Sequence, residues 1–450
     1  MNEGSGPEAS VLSQGSASER PIIRGAFDLR SFSGDAALVI GAAIVGNLFS
    51  FVFHFTLSRR LGPDLYGTLV TLMAIATWLG VLGQSVGTVA MQETAKMWAS
   101  HLDAAIAPFL RRAGRLTSGV ATIAALALVV ATLPLRSYLH VVQPLLWWLL
   151  ALYVALTMFA GFARGAAQGA HRFTIFAASM IGEGVAKVVI ALALVALGFG
   201  VAGALGGLIT GAVIAVSVVY APLVWRGASS AWLHDERLRL GGEALKVLAV
   251  TATTGALLYI DMLFAKHHFY GVQAGYFGAA GTVARTIPAG VGLVGLIIMP
   301  KAAAARHVGA ASLARVLASA AMIAAAIVCA VLIFIVLAPG WIVHVTYGPT
   351  FAGAIPLLRV YALDEALFAL WAVAISYLVA VASYEVFGAL ALAALAEAVA
   401  MAIFGSTPMR LLSIAIVVNG LLLPTVWLLA LRTVRRVPQA SGPPSAEGAK

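Results

Sequence analysis

Eight ionisable side chains interrupt long apolar runs of this 450-residue chain: Glu183, Lys187, Asp261, Arg285, Arg359, Asp364, Glu365 and Glu397. A charge inside such a run is costly and by default marks an ion, proton or substrate path. Three of the eight are cations and five are acids, so the set is not simply a cationic cavity. Glu183 and Lys187 stand four apart with the acid first, the favourable order for a pair on one helix face. Asp261 and Arg285 fall on consecutive antiparallel spans, at depths of about 8 Å and ~14 Å from the same end, which permits a salt bridge. The alternative for Arg285 is an anionic ligand, since a guanidinium offers planar, bidentate donors. Pro288 just after it removes a backbone donor and loosens that helix.

A second set gathers oxygen donors. Counted from the same end, Asp261, Glu397 and Asn419 lie at depths of about 8, 10 and 12 Å on three different spans. Thr254, seven residues before Asp261, shares its face. Carboxylate, amide and hydroxyl oxygens together can hold a sodium ion, or the acids can carry protons. The bland reading of the same residues is a polar contact between helices. No Ser/His/Asp set, metal-ligand cluster or glycine-rich phosphate loop is present, so an enzyme is not expected, and no cofactor beyond a coupling cation is implied.

These side chains must be positioned by membrane-spanning helices. The chain is 61% hydrophobic and only 10% charged, whereas soluble domains carry about 25% charged residues. The apolar runs are continuous and around twenty residues long, which fits helices and not the alternating strands of a barrel. The single cysteine, Cys329, excludes a disulfide framework and a zinc cluster. A net charge of +10 reflects basic loops, not nucleic-acid binding. The spans are expected at 36–57, 65–89, 116–133, 141–162, 174–197, 201–225, 244–266, 276–299, 313–338, 355–381, 385–404 and 411–431.

Twelve spans put both termini on one side. Twenty lysines and arginines then fall on that side, against five on the other: Arg59, Arg60, Arg136, Lys266 and Arg410. The bias places both termini in the cytoplasm of a cell whose inner (plasma) membrane the chain spans. Residues 1–34 and 432–450 read as polar cytoplasmic tails, the first too polar for a signal peptide. Residues 35–225 form a first lobe and 244–431 a second, joined by a cytoplasmic linker at 226–243. The stretch 90–115, with Met97, Trp98, Leu102, Ile106 and Phe109 set against charges, reads as an amphipathic helix on the inner leaflet. An internal echo supports the division. Both LSRRLGPDLYGTL (57–69) and FAKHHFYGVQAGYFGAA (264–280) place basic residues at a span's end, then a glycine turn and a tyrosine, with Tyr66 and Tyr276 in corresponding places.

Three segments together resemble the polysaccharide transporter family of the multidrug/oligosaccharidyl-lipid/polysaccharide exporter superfamily. The first is Asn47 followed by SRRLGPDLYG (58–67). The second is RGAAQGAHRF (164–173) with GFGVAGALGG (198–207). The third is AGYFGAAGTVAR (274–285), with Met299-Pro300 and YGPTF (347–351). The resemblance implies two six-helix lobes around a central cavity that opens alternately to either face. It implies a substrate of oligosaccharide on polyprenyl pyrophosphate, flipped from inner to outer leaflet alongside polymerase or glycosyltransferase machinery. Arg285, Lys187, Arg59, Arg60 and Arg359 are the cations offered to the pyrophosphate, although Arg59 and Arg60 also suit snorkelling to headgroups. Cation coupling in the second lobe, through sodium or protons, is known among superfamily relatives and gives Asp261, Glu397, Asn419 and Thr254 a role. The competing readings are a multidrug antiporter of the same superfamily and a membrane glycosyltransferase or polysaccharide polymerase. The last would need a catalytic outer loop, and the loops there hold one acid, Asp64.

Overall fold

The computed structural model describes residues 29–100, 102–225 and 242–436. The far N-terminal and C-terminal tails, and most of the 226–243 linker, lie outside these residues. Among those described, every regular element is a helix.

The first helix, α1 (Leu29–Ala99), is one assignment over two crossings. At Gly62 the backbone turns through φ 72° and ψ 172°, and Pro63 restarts the helix. Only glycine adopts that angle freely, and proline suits a first helical turn. His54 Nδ1 lies 2.9 Å from the Tyr66 hydroxyl, whereas twelve residues of straight helix would span about 18 Å. The chain therefore doubles back as a hairpin. There follow α2 (Asp103–Tyr138), α3 (Pro144–Gly169), α4 (Phe173–Ala196) and α5 (Gly200–Trp225). The second half holds α6 (Gly242–His268), α7 (Val272–Ala284), α8 (Thr286–Val308), α9 (Ala310–Leu337) and the short α10 (Pro339–Thr346). A 3-10 turn at Pro349–Ala354 leads into α11 (Ile355–Ala380), α12 (Val386–Phe404) and α13 (Pro408–Arg436). Among the described residues, eleven helical stretches are long and apolar enough to cross a membrane. Because α1 crosses twice, the expected twelve crossings are all present.

Two expectations need correction. Residues 90–115 do not form a separate surface helix. Helix α1 runs on to Ala99 and α2 begins at Asp103, so the stretch is two span extensions joined by a tight turn. Its apolar residues Ile106 and Leu110 pack with Ala90, Phe162 and Ala166 between spans instead of facing the leaflet. Trp98 stacks on His171, with ring centroids 3.8 Å apart. The eighth span is also not continuous, since α7 ends and α8 begins at Arg285. Pro288 lies in the first turn of α8, where its missing N–H and its ring disfavour uninterrupted helix.

The first lobe, α1 to α5, closes through glycines. A Cβ at Gly165 would stand 1.9 Å from the Gly87 carbonyl oxygen, and one at Gly169 would stand 2.1 Å from that of Met91. Gly83 and Gly87 thus meet Gly161 and Gly165, and Gly169 meets Met91 one turn on, the small-residue pattern at four-residue spacing that lets helices approach within lipid. The second lobe wraps around α11, whose buried face includes Tyr361, Asp364, Glu365 and Trp371.

The lobes touch from the end remote from the described chain termini, hereafter the far end, down to Trp78 on α1, whose Nε1 donates to the Ala252 carbonyl of α6 at 3.0 Å. At the far end the two echoing hairpins meet: a Cβ at Gly275 would stand 1.9 Å from the Pro63 carbonyl oxygen, and Gly67 faces Gly275 in turn. Tyr66 and Tyr276 both pack against Phe351, at centroid distances of 5.6 and 6.3 Å. His267 stacks on Tyr138 at 3.7 Å and its Nδ1 lies 2.8 Å from the Tyr138 carbonyl. Lys266 Nζ donates to Thr68 Oγ1 at 3.0 Å.

Candidate functional site

The ionisable groups of the second lobe converge on the break between α7 and α8. Arg285 sits at that break and reaches two other helices, α6 and α11. Its Nη2 donates to Asp261 Oδ1 on α6 at 2.8 Å and to the Tyr361 hydroxyl on α11 at 2.7 Å. Its Nε lies 3.2 Å from Glu365 Oε1, also on α11. The Leu258 carbonyl accepts from Nε and Nη2 at 3.1 and 2.8 Å. The Tyr361 hydroxyl closes the ring by donating to Asp261 Oδ2, and Tyr259 offers its ring face 4.9 Å from the guanidinium. The side chains of Asp261 and Glu365 retain 5% and 3% exposure. A charge-assisted, multidentate contact of this kind is strong and directional.

A second knot lies beside the first. Asn419 on α13 donates from Nδ2 to Asp364 Oδ1 at 2.8 Å, and Trp371 Nε1 donates to Asn419 Oδ1 at 3.0 Å. Glu397 on α12 is fully buried, and neither of its carboxylate oxygens has a hydrogen-bond partner; Glu365 Oε2 is likewise unpartnered. Four buried carboxyl groups therefore lie in this lobe around one guanidinium, which bonds only Asp261 and Glu365. Burying unpaired carboxylates is expensive, so the cluster calls for bound protons or a cation to balance it. Among the described residues no three His, Cys, Asp or Glu groups are arranged to hold a metal ion.

The first lobe carries cations. Arg164 Nη2 lies 2.5 Å from Glu183 Oε2, and its Nε donates to Ser179 Oγ at 3.0 Å. Lys187 Nζ donates to Ser50 Oγ at 2.7 Å, joining α4 to the first arm of α1. From there His54, Tyr66 and Tyr347 continue toward the other lobe, the two hydroxyls 3.4 Å apart.

Each anticipated residue now has a place. The Asp261–Arg285 bridge is present. Glu183 does not pair with Lys187: it turns to Arg164, a residue expected only to set topology, and leaves Lys187 with a neutral partner. Asp261, Glu397 and Asn419 belong to one lobe but do not bond to one another: Arg285 and Tyr361 bond Asp261, Asp364 accepts from Asn419, and Glu397 has no hydrogen-bond partner. Thr254 donates to the Val250 carbonyl on its own helix at 2.8 Å and takes no part in either knot. Arg59 donates to the Val345 carbonyl at 2.5 Å across the far-end contact. Arg60 and Arg359 are exposed. Tyr361 and Trp371 were not anticipated; only their position within one turn or two of Asp364 could have suggested them.

A two-lobed bundle of twelve apolar crossings with charged residues buried inside is the build of a membrane transporter. The family described as polysaccharide biosynthesis protein matches residues 34–300, and the chain belongs to that family, within the MOP superfamily. Its fold is similar to an inward-facing multidrug resistance MATE family transporter of that superfamily, with a TM-score of 0.70 at 15% identity over 90% of this chain and 99% of that one. An outward-facing form of such a transporter gives 0.64 at 15%, covering 90% and 97%. A Vibrio cholerae MATE transporter gives 0.61 at 13%, covering 90% and 98%. No curated protein sequence matches the chain.

Proposed function

We propose that this transporter flips a polyprenyl-pyrophosphate-linked oligosaccharide from the inner to the outer leaflet of the plasma membrane, by alternating access, for cell-surface polysaccharide biosynthesis. The family match over residues 34–300 carries the reading. Lys187, whose ammonium is held by a hydroxyl and not by a carboxylate, is the cation best placed to meet an anionic carrier. Arg285 enters only conditionally, because Asp261 and Glu365 occupy it. Protonation of those acids would release the guanidinium for the pyrophosphate, and this links a proton to substrate binding. On this reading the acidic excess is the coupling device of a carrier for an anion. No covalent chemistry is assigned to the chain. Its partners are the lipid-linked sugar and the polymerase or glycosyltransferase machinery that supplies and consumes it.

The acidic cluster and the MATE-like fold also favour a second reading, a cation-coupled multidrug antiporter. Depletion followed by lipid extraction separates the two. The flippase reading expects polyprenyl-pyrophosphate oligosaccharide to accumulate on the inner leaflet, with rescue by the wild-type chain and not by Glu397→Gln. Normal glycolipid export together with new sensitivity to cationic dyes would instead select the antiporter.

A further inference from the structure

The second arm of α1 meets a different neighbour on each of three faces and leaves a fourth uncovered. Trp78 Nε1 donates to the Ala252 carbonyl of α6 at 3.0 Å, and Trp78 and Val81 both lie against Gly255. Gly83 and Gly87 press on α3. Val86 packs with Ile106 and Leu110 of α2. The remaining flank carries Thr77, Gln84, Thr88 and Gln92, at helical spacings of seven, four and four residues, and all four are exposed. Hydroxyl and amide groups are poorly served by lipid, so an exposed row of them along a span faces a water-filled cleft. The row is about 22 Å long, running from the lobe contact toward the end of the described termini.

Its upper end reaches the charged site. Thr77 neighbours the Tyr259 hydroxyl, and the ring of Tyr259 faces the Arg285 guanidinium at 4.9 Å. Trp78, beside Thr77, remains 39% exposed although its indole N–H is tied to α6. Gly255 makes room for that indole, since a Cβ there would stand 3.4 Å from Trp78 Cδ1. The ring is thus held in place with one side open, which lowers the ordering cost of any ligand that covers it.

The chemistry of the row selects the ligand class. No ionisable residue occurs on this arm between Asp64 and Glu93. A hydrophobic cation would find no acid along it, and a pyrophosphate no base. Neutral amides and hydroxyls both donate and accept, as sugar hydroxyls do, and the C–H face of a sugar ring covers an aromatic ring. Resting on the flippase reading, we propose that Trp78, Gln84, Thr88 and Gln92 bind the oligosaccharide portion of the cargo. Recognition of the sugar is thereby separated from the cations that meet the pyrophosphate.

The test uses the full chain, purified in detergent, and two lipids followed by native mass spectrometry. One is polyprenyl pyrophosphate without sugar, and the other is the glycolipid extracted from cells depleted of this protein. Trp78→Leu and Gln84→Leu, the latter at an exposed position, should each weaken the glycolipid adduct about tenfold. Both should hold the bare carrier as wild type does, which also shows that they are folded. Variants that lose neither lipid, or lose both alike, would overturn the sugar site and leave the flippase reading standing. If no glycolipid accumulates, or wild type binds neither lipid, the flippase reading fails and this inference falls with it.

Discussion

Arg285 shows how burial and pairing together set the worth of a residue. It satisfies two carboxyl groups, a hydroxyl and a carbonyl, so removing it leaves Asp261 and Glu365 without their cation. Arg285→Ala should cost about 3–5 kcal/mol, the usual penalty for breaking a buried pair on one side. Adding Asp261→Asn to that variant should recover part of the loss, because one uncompensated charge disappears with it. Denaturant titration of the four proteins of this cycle measures the coupling, and strictly additive losses would show that the pair is not a working unit. The charges themselves were legible in the sequence, for an ionisable residue in an apolar run is conspicuous. Their partners were legible only where sequence spacing dictates geometry. Spacing alone suggested Glu183 with Lys187, but α3 brings Arg164 to Glu183, and a guanidinium bonds Ser179 and Glu183 together. Depth counting placed Asp261, Glu397 and Asn419 at one level but could not give the rotation of each helix, which decides that Asp364 is the partner of Asn419.

At the scale of elements, glycines decide where helices meet. All twelve crossings were readable because runs of about twenty apolar residues are unmistakable. The glycine content announced close packing without saying which faces touch. Gly165 and Gly169, within the segment RGAAQGAHRF, press against Gly87 and Met91 of the second arm of α1. Gly165→Ala would place a methyl 1.9 Å from a backbone oxygen, and no rotamer change relieves a backbone clash. The cost should reach or exceed the ~1–3 kcal/mol typical of overpacking, read as a lower midpoint in thermal unfolding. Gly119→Ala, on the same lobe with open space around its Cβ, is the matched control and should unfold close to the wild-type temperature. An equal loss in both would show that helix flexibility, and not contact, sets the effect. The break at Arg285 was foreshadowed only by Pro288, whose bond-breaking effect is visible in sequence though its extent is not.

The two lobes are joined from the far end down to Trp78 and Ala252, about midway along α6. Contacts among Pro63, Gly67, Tyr66, Tyr138, Lys266, His267, Gly275 and Phe351 bind the lobes at the far end. The polar contacts at the opposite end, Trp98 with His171 and Arg436 with Glu385, stay within single lobes. Which compartment each end faces follows from charge. Among described residues, Lys96, Arg111, Arg112, Arg115, Arg172, Arg315, Arg432, Arg435 and Arg436 gather at the end of the described termini, while Arg59, Arg60, Arg136, Lys266 and Arg410 are at the other. Basic loops are retained in the cytoplasm, so the joined end should face outward and the lobes should part toward the inner leaflet, where a lipid-linked cargo is made. The prediction is a labelling pattern in intact cells carrying Cys329→Ser. An impermeant maleimide added outside should modify Arg60→Cys, which is exposed at the far end. It should spare Arg435→Cys until the membrane is permeabilised. The reverse pattern would invert the topology, and the joined end would then close the cytoplasmic path, making loading from the inner leaflet the step that requires opening.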